Sequence, residues 1–125
     1  MGFQEAVRTC LQKYATFSGR APRSEYWWFV LFCILVGIAA AIISMLLFGY
    51  SPTDPDSVDW VGLLCSLALL LPSLAVGVRR LHDIDRSGWW MLLILIPLLG
   101  AIVLIIFAAQ RGTTGSNRFG ADPLP

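Results

Sequence analysis

Apolar residues are concentrated in three long stretches, 26–49, 60–78 and 89–109, that contain no charged residue. The middle stretch is the shortest, and Ser66, Pro72 and Ser73 interrupt its apolar run. An α-helix rises about 1.5 Å per residue, so each stretch is long enough to cross the roughly 30 Å hydrocarbon layer of a bilayer. The pattern therefore predicts three transmembrane helices.

A fourth segment, residues 3–17, has apolar side chains on one helical face only. The apolar positions are Phe3, Val7, Cys10, Leu11, Tyr14 and Phe17. This spacing predicts an amphipathic helix that is too polar to span a membrane. Such a helix could lie on the membrane surface with its aromatic face among acyl chains, or it could pack against the protein's own loops.

The composition supports a membrane protein. Hydrophobic residues make up 57% of the 125 residues and charged residues only 14%, whereas a soluble protein has about 25% charged residues. All nine Lys and Arg and all eight Asp and Glu lie outside the three stretches, so these helices have no polar face for water. We predict an all-α fold forming one membrane domain over residues 1–125. It has an N-terminal amphipathic interfacial helix, three transmembrane helices and a tail at 110–125.

The cysteines predict neither a disulfide framework nor a metal site. Cys10, Cys33 and Cys65 form no CxxC pair, and two of them lie within the apolar stretches. Residues in such positions behave as small apolar side chains. A Cys33–Cys65 disulfide is the alternative. We expect no metal and no cofactor.

Charged residues predict the orientation. The loop at 50–59 has three aspartates and no Lys or Arg, whereas four basic residues precede the first stretch and three follow the second. Basic segments mark the cytoplasmic side. We therefore expect a cytoplasmic N-terminus, an external acidic loop, a cytoplasmic loop at 79–88 and an external tail. Pro97 lies in the middle of the third stretch, and a re-entrant hairpin there would return the tail to the cytoplasm.

One polar cluster is the candidate functional site. In the predicted topology, two charged segments meet at the cytoplasmic face. The cluster consists of Arg20, Arg23 and Glu25 from the first segment and Arg79, Arg80, His82, Asp83 and Arg86 from the second. Guanidinium groups bind phosphates in bidentate fashion, so the cluster could hold a lipid or nucleotide phosphate. The alternative is an intramolecular network that locks the helix ends together.

Aromatic residues lie at the ends of the predicted spans. They are Tyr26, Trp27, Trp28, Trp60, Trp89 and Trp90. Tyrosine and tryptophan favour the headgroup level, where the ring is apolar and the polar atom finds a partner. We expect these residues to act as interfacial anchors, with packing in the core as the alternative.

The order of motifs resembles a known family. The segment Phe17-Ser-Gly-Arg-Ala-Pro-Arg-Ser-Glu-Tyr-Trp-Trp-Phe29 resembles an FxGRAxRxEYW opening. Arg79-Arg-Leu-His-Asp83 with Arg86-Ser-Gly-Trp-Trp90 resembles an RRLHDxxRSGWW element. Ile96-Pro97 and residues 112–123 resemble its later signatures. Together these motifs resemble those of a bacterial inner-membrane family catalogued as domain of unknown function 805. The resemblance implies a bacterial inner-membrane protein of several helices, and it implies no activity.

The favoured function is a non-enzymatic, multi-pass membrane protein whose cytoplasmic Arg/Trp cluster binds anionic lipid headgroups or a partner protein. An oligomeric channel or small-solute transporter is the alternative, although no ionisable residue lies within the spans. An enzyme acting on lipid phosphate, with His82 as its base, is the second alternative. Small-xxx-small spacings such as Gly37–Ala41 favour a homo-oligomer. The formal net charge of +1 gives no reason to expect nucleic-acid binding.

Overall fold

The computed structural model describes residues 2–124, which form α-helices, a 3-10 helix and connecting turns. The elements in chain order are α1 (Phe3–Gln12), α2 (Arg23–Phe48), α3 (Trp60–Asp83), the 3-10 helix (Gly88–Leu95) and α4 (Leu99–Ala109). This arrangement agrees with the all-α prediction at the level of fold class.

The pair α2 and α3 forms the core of the helical bundle. Within residues 2–124 these two helices alone are long and apolar enough to cross a membrane, with 26 and 24 residues. They run antiparallel. At one end the Ala21 amide donates to the Arg79 carbonyl at 3.0 Å. At the other end the buried Ser44 hydroxyl donates to the Asp59 carboxylate.

Local chemistry sets the ends of this pair. Gly49 adopts a left-handed conformation with φ of 67° and ends α2, as glycine commonly does after a helix. Asp59 caps α3 by accepting a hydrogen bond from the Gly62 amide at 2.9 Å. The helix α3 continues past the predicted end at residue 78 to Asp83. It does so because the charged side chains of its last turns are buried against protein.

The helix α1 is shorter than the predicted segment 3–17 and ends at Gln12. Its small residues Ala6 and Cys10 are fully buried, and Phe3 packs edge-on against Trp28 at 5.8 Å. The chain leaves the helix after Gln12, and the Tyr14 hydroxyl donates to the Ala68 carbonyl of α3. This tertiary contact replaces a further helical turn. The location of α1 at a membrane surface stays a prediction.

The third apolar stretch is a hairpin, so the prediction of one continuous helix over 89–109 is wrong. Pro97 has no amide hydrogen to continue a helix. Leu98 then has φ of 61°, and the Leu99 amide bonds to the Pro97 carbonyl at 2.6 Å, which closes a three-residue turn. The two arms are the 3-10 helix of 8 residues and α4 of 11 residues. Each is about 16 Å long, or half of the hydrocarbon thickness.

Gly100 allows the two arms to approach closely. A Cβ atom at this position would overlap the carbonyl oxygen of Leu93 on the opposite arm. Glycine is therefore required here for steric reasons, and its absence of a side chain is what brings the backbones together.

The hairpin returns the tail to the end of the bundle where α2 begins. The Thr113 amide donates to the Asp83 carbonyl at 2.6 Å, and the Thr113 carbonyl accepts from Arg20 at 2.5 Å. The expected topology with the tail opposite the N-terminal segment is therefore wrong, and the re-entrant alternative matches the structure. All nine basic residues then belong to segments at this end, and the loop at 50–59 has none. The cytoplasmic location of this end stays a prediction.

Labelling of single cysteines tests this topology. In a background with the three native cysteines replaced by alanine, Ser116→Cys reports the tail and Thr53→Cys reports the acidic loop. A membrane-impermeant maleimide applied to intact cells should label only Thr53→Cys, because the two positions lie at opposite ends of the helix pair. Labelling of both positions from outside would contradict the hairpin.

Substitution of Gly100 tests the contact between the arms. We expect Gly100→Ala to destabilise the fold by about 1–3 kcal/mol, because the added Cβ forces the backbones apart. Gly37→Ala is the matched control, since a Cβ there meets no atom within 4 Å. Unfolding in mixed detergent micelles measures both. Equal stability of the two variants would show that the arms do not pack as described.

Candidate functional site

Charged side chains are buried where α2 begins and α3 ends. Arg79 is 0% exposed, Arg80 and Glu25 are 1% exposed, Asp83 is 2% exposed and Arg20 is 6% exposed. Burial of an ion costs several kcal/mol unless a counter-charge and hydrogen bonds replace its water. The partners of each group therefore decide what this cluster can do.

Asp83 is the centre of the cluster. One carboxylate oxygen accepts from Arg20 Nε at 2.9 Å, and the other pairs with Arg80. Gly112 of the tail lies directly against this carboxylate, where a Cβ would overlap it. A single carboxylate at the last turn of α3 thus joins the segment before α2, α3 itself and the tail.

Arg80 also holds three backbone segments together. It donates to the carbonyls of Ala108 at 2.9 Å and Ala21 at 3.0 Å, and to the carbonyl of Gln110. Ala108 lies in the last turn of α4, where carbonyls have no partner within the helix. The buried guanidinium therefore satisfies the end of α4 and fixes it beside the start of α2.

Arg20 satisfies backbone carbonyls of the tail and fixes the tail in the same way. Its guanidinium donates to the carbonyls of Thr113 at 2.5 Å, Gly115 at 2.6 Å and Gly120 at 3.3 Å. The Asn117 amide and the Gly120 carbonyl, 3.0 Å apart, close the loop that surrounds it. Three carbonyls and Asp83 occupy this arginine, so it has little capacity left for an external phosphate.

Arg79 forms a second buried pair under α1. Its Nη1 donates to Glu25 at 2.6 Å, and the Cys10 thiol lies 3.7 Å from the same carboxylate oxygen. Among residues 2–124, no partner is found for Arg79 Nε and Nη2. Burial, together with the negative charge of Glu25, raises the pKa of the Cys10 thiol to about 12. Cys10 therefore remains a neutral thiol.

His82 is held by the segments on both sides of it. Its Nδ1 lies 2.9 Å from the Gly19 carbonyl and donates to it, and its ring stacks on Phe119 with centroids 4.0 Å apart. The Asn117 side chain donates to the His82 carbonyl at 2.9 Å. The imidazole is only 8% exposed, so it has little room for a substrate.

The remaining arginines are accessible. Arg23 is exposed at the start of α2. Arg86 is half-buried between the rings of Trp90 and Phe107, with its guanidinium carbon 4.9 Å and 4.5 Å from their centroids. Arg118 pairs with Asp85 at 3.2 Å on the surface. The predicted cluster is thus brought together, but it is divided into a buried network and a few exposed cations.

Sequence reasoning missed the contribution of the tail and of α1. Thr113, Asn117, Phe119 and Cys10 all contact predicted site residues. The motif signal was present, because residues 112–123 resemble the later signatures of the family pattern. It could not be interpreted without the hairpin, which alone brings the tail to Arg20 and Asp83.

The predicted aromatic anchors occur at both ends of the helix pair. Their exposed fractions are 38% for Trp27 and Trp28, 40% for Trp90, 56% for Trp60 and 78% for Trp89. Tyr26 is half-buried and packs edge-on against Trp27. Exposed indoles at the ends of apolar helices fit a headgroup location, and their depth in a membrane stays a prediction.

Comparison with known proteins identifies relatives along most of the chain. A family model described as Protein of unknown function (DUF805) matches residues 14–121. Inner membrane protein YhaI of Escherichia coli is 45% identical, covering 90% of each chain. Inner membrane protein YhaH of the same organism is 42% identical over 90% of this chain and 91% of its own. Uncharacterized protein YiiR is 28% identical, covering 91% and 90%. No solved structure matches at a significant level.

Substitution of Asp83 tests the network. Asp83→Asn leaves Arg20 and Arg80 buried without a counter-charge, and we expect a loss of about 3–5 kcal/mol in the free energy of unfolding. Asp85→Asn is the matched control, because its pair with Arg118 is exposed and contributes about 0–1 kcal/mol. Unfolding in mixed micelles measures both variants. A loss below 1 kcal/mol for Asp83→Asn would contradict the central role of this carboxylate.

Thiol labelling tests the burial of Cys10. In a background with Cys33 and Cys65 replaced by alanine, the folded chain should resist a maleimide at pH 8, and denaturation should expose the Cys10 thiol, with Ser116→Cys as the exposed control. The pKa is raised from 9.0 to about 12 in the fold. The stability that the neutral thiol contributes is therefore complete below pH 9 and is lost as the pH rises toward 12. Rapid labelling of the native protein would contradict the docking of α1.

Proposed function

The chain belongs to the DUF805 family of proteins of unknown function, and we propose that it is a non-enzymatic inner-membrane protein whose basic end binds anionic lipid headgroups. One observation carries this proposal. All nine basic residues belong to segments at one end of the helix pair, and the loop at the other end contains aspartate without Lys or Arg. The membrane location rests on the apolar helices and on the two inner-membrane relatives.

The basic residues have two roles in this proposal. Arg20, Arg79 and Arg80 are buried and form ion pairs with Asp83 and Glu25, so they lock the helix ends together. The exposed ones are Arg8, Lys13, Arg23, Arg111 and Arg118. Each cation near an anionic leaflet contributes about 1 kcal/mol to attraction. The exposed residues are therefore the ones that select anionic headgroups.

The shape of the chain supports contact with lipid on this side. The tail contacts Arg20 and α1 contacts Glu25, and these two segments carry four of the five exposed cations. Arginine favours phosphate through bidentate hydrogen bonds. By the positive-inside rule this end faces the cytoplasm. The ligand in this proposal is thus the cytoplasmic leaflet itself.

Other functions receive less support from the geometry. His82 is covered by Phe119 and bonded to Gly19, which weighs against a base for lipid-phosphate chemistry. A protein partner at the same basic face would need an acidic surface, and it is an alternative outcome of the test below. A channel or transporter would need a pore assembled from several chains. The contacts described for residues 2–124 do not favour such a pore.

Measurement of lipid selectivity tests the proposal. The triple variant Arg23→Gln, Arg111→Gln, Arg118→Gln removes exposed charge and leaves the buried network intact. In native mass spectrometry, the wild type should retain phosphatidylglycerol in preference to phosphatidylcholine, and the preference should fall at least tenfold in the variant. Added salt should have the same effect.

The control is the pair Asp54→Asn, Asp56→Asn at the opposite end, which should leave the preference unchanged. A wild type without preference for phosphatidylglycerol would refute the proposal. Retention of an acidic protein from the membrane instead of lipid would favour the partner alternative.

A further inference from the structure

An apolar cavity of about 230 Å³ separates the hairpin from α3. Its walls come from the last turns of α3, both arms of the hairpin and the first turn of α2. Two of the lining positions, Ala101 and Ala108, carry only a methyl group, whereas Gly77 on the opposite wall is packed against Met91. These short side chains of α4 leave a space that leucine-sized residues would fill.

The lining chemistry disfavours water as the occupant. Apart from Arg80 and Tyr26, the lining residues are apolar. The Arg80 guanidinium is already bonded to Asp83 and to three backbone carbonyls. A buried water needs two to four polar partners, and apolar cavities stay dry and bind apolar molecules. In the hydrocarbon layer, the molecule available to enter is an acyl chain.

An accessible cation, Arg23, lies beside the end of α4, close to the residues that line the cavity. Ala108 lines the cavity, and the carbonyl of the next residue, Ala109, lies 3.4 Å from Arg23 Nη1. Arg23 is exposed at the start of α2, so its guanidinium group is accessible to a ligand. An apolar slot that ends beside an accessible guanidinium matches the two parts of an anionic lipid, which are the chain and the phosphate.

We infer that this cavity binds one acyl chain of an anionic phospholipid whose phosphate contacts Arg23. The inference rests on the proposed function and adds a defined site to it: one retained lipid, held by its chain as well as by its charge. The cavity volume corresponds to about eight water molecules at about 30 Å³ each, so it accommodates a segment of one acyl chain.

Filling the cavity tests the inference. Ala101→Phe places a ring in the slot, and Ile102→Phe is the matched control, because Ile102 is 46% exposed on the same helix and does not line the cavity. After delipidation, the full chain in detergent is titrated with phosphatidylglycerol and observed by native mass spectrometry. The wild type and Ile102→Phe should retain one lipid, and Ala101→Phe should bind it at least tenfold more weakly.

Two further measurements separate the contribution of the acyl chain from that of the phosphate. Arg23→Gln should lose the preference for phosphatidylglycerol over phosphatidylcholine at this site and still retain a chain. Inorganic phosphate should not compete with the lipid at millimolar concentration. Competition by inorganic phosphate alone, or equal retention of the two lipids by the wild type, would overturn the inference.

A measurement on the wild-type chain tests the inference even if Ala101→Phe does not fold. Phosphatidylglycerol with a photoreactive group in its acyl chain should crosslink to residues 91–105 of the wild type in preference to the outer face of α2. Crosslinks spread evenly over the apolar surface would overturn the inference. So would normal lipid retention by Ala101→Phe, and in that case a preserved anionic preference would leave the proposed function standing.

Discussion

The ion pairs of Asp83 with Arg20 and Arg80 are the interaction on which the rest of this structure depends. One buried carboxylate is the shared counter-charge of two buried guanidinium groups. Those guanidinium groups then satisfy the carbonyls of the tail and of the last turn of α4. In an apolar bundle without this carboxylate, two cations would remain without compensation. The network therefore specifies which backbone segments meet.

The hairpin and the network need each other. Each arm of the hairpin is about half as long as the hydrocarbon layer is thick, so the chain must return to the side from which it entered. Non-helical backbone at membrane depth is tolerated where protein covers it. Gly100 brings the arms into contact, and Arg80 and Arg86 hold the returning α4 at its end through the Ala108 carbonyl and the ring of Phe107. This return places the tail's cations beside those of the N-terminal segment, which gives the basic end its charge.

Much of this could be predicted from residue patterns, and the errors have a common cause. The first two apolar stretches form helices that are long and apolar enough to span a membrane, because their lengths and composition allow few other structures in oil. The prediction for α1 extended too far, and that for α3 ended too early, because tertiary contacts of Tyr14 and Arg79 decide those ends. The site residues were identified as a group from their motif. Their division into buried locks and exposed cations depends on packing that no residue pattern reports.

The sequence alone determined that this protein is suited to a membrane, that its fold is all-α and that its charged motifs lie close together. Hydrophobic length and charge segregation are properties of local composition, so they can be read without a fold. Only the tertiary structure decided that the third stretch reverses at Pro97 and that the tail encloses Arg20. Both outcomes depend on distant groups, such as Leu93 against Gly100 and Thr113 against Asp83. The free energy of such contacts is fixed by three-dimensional proximity, which linear spacing does not contain.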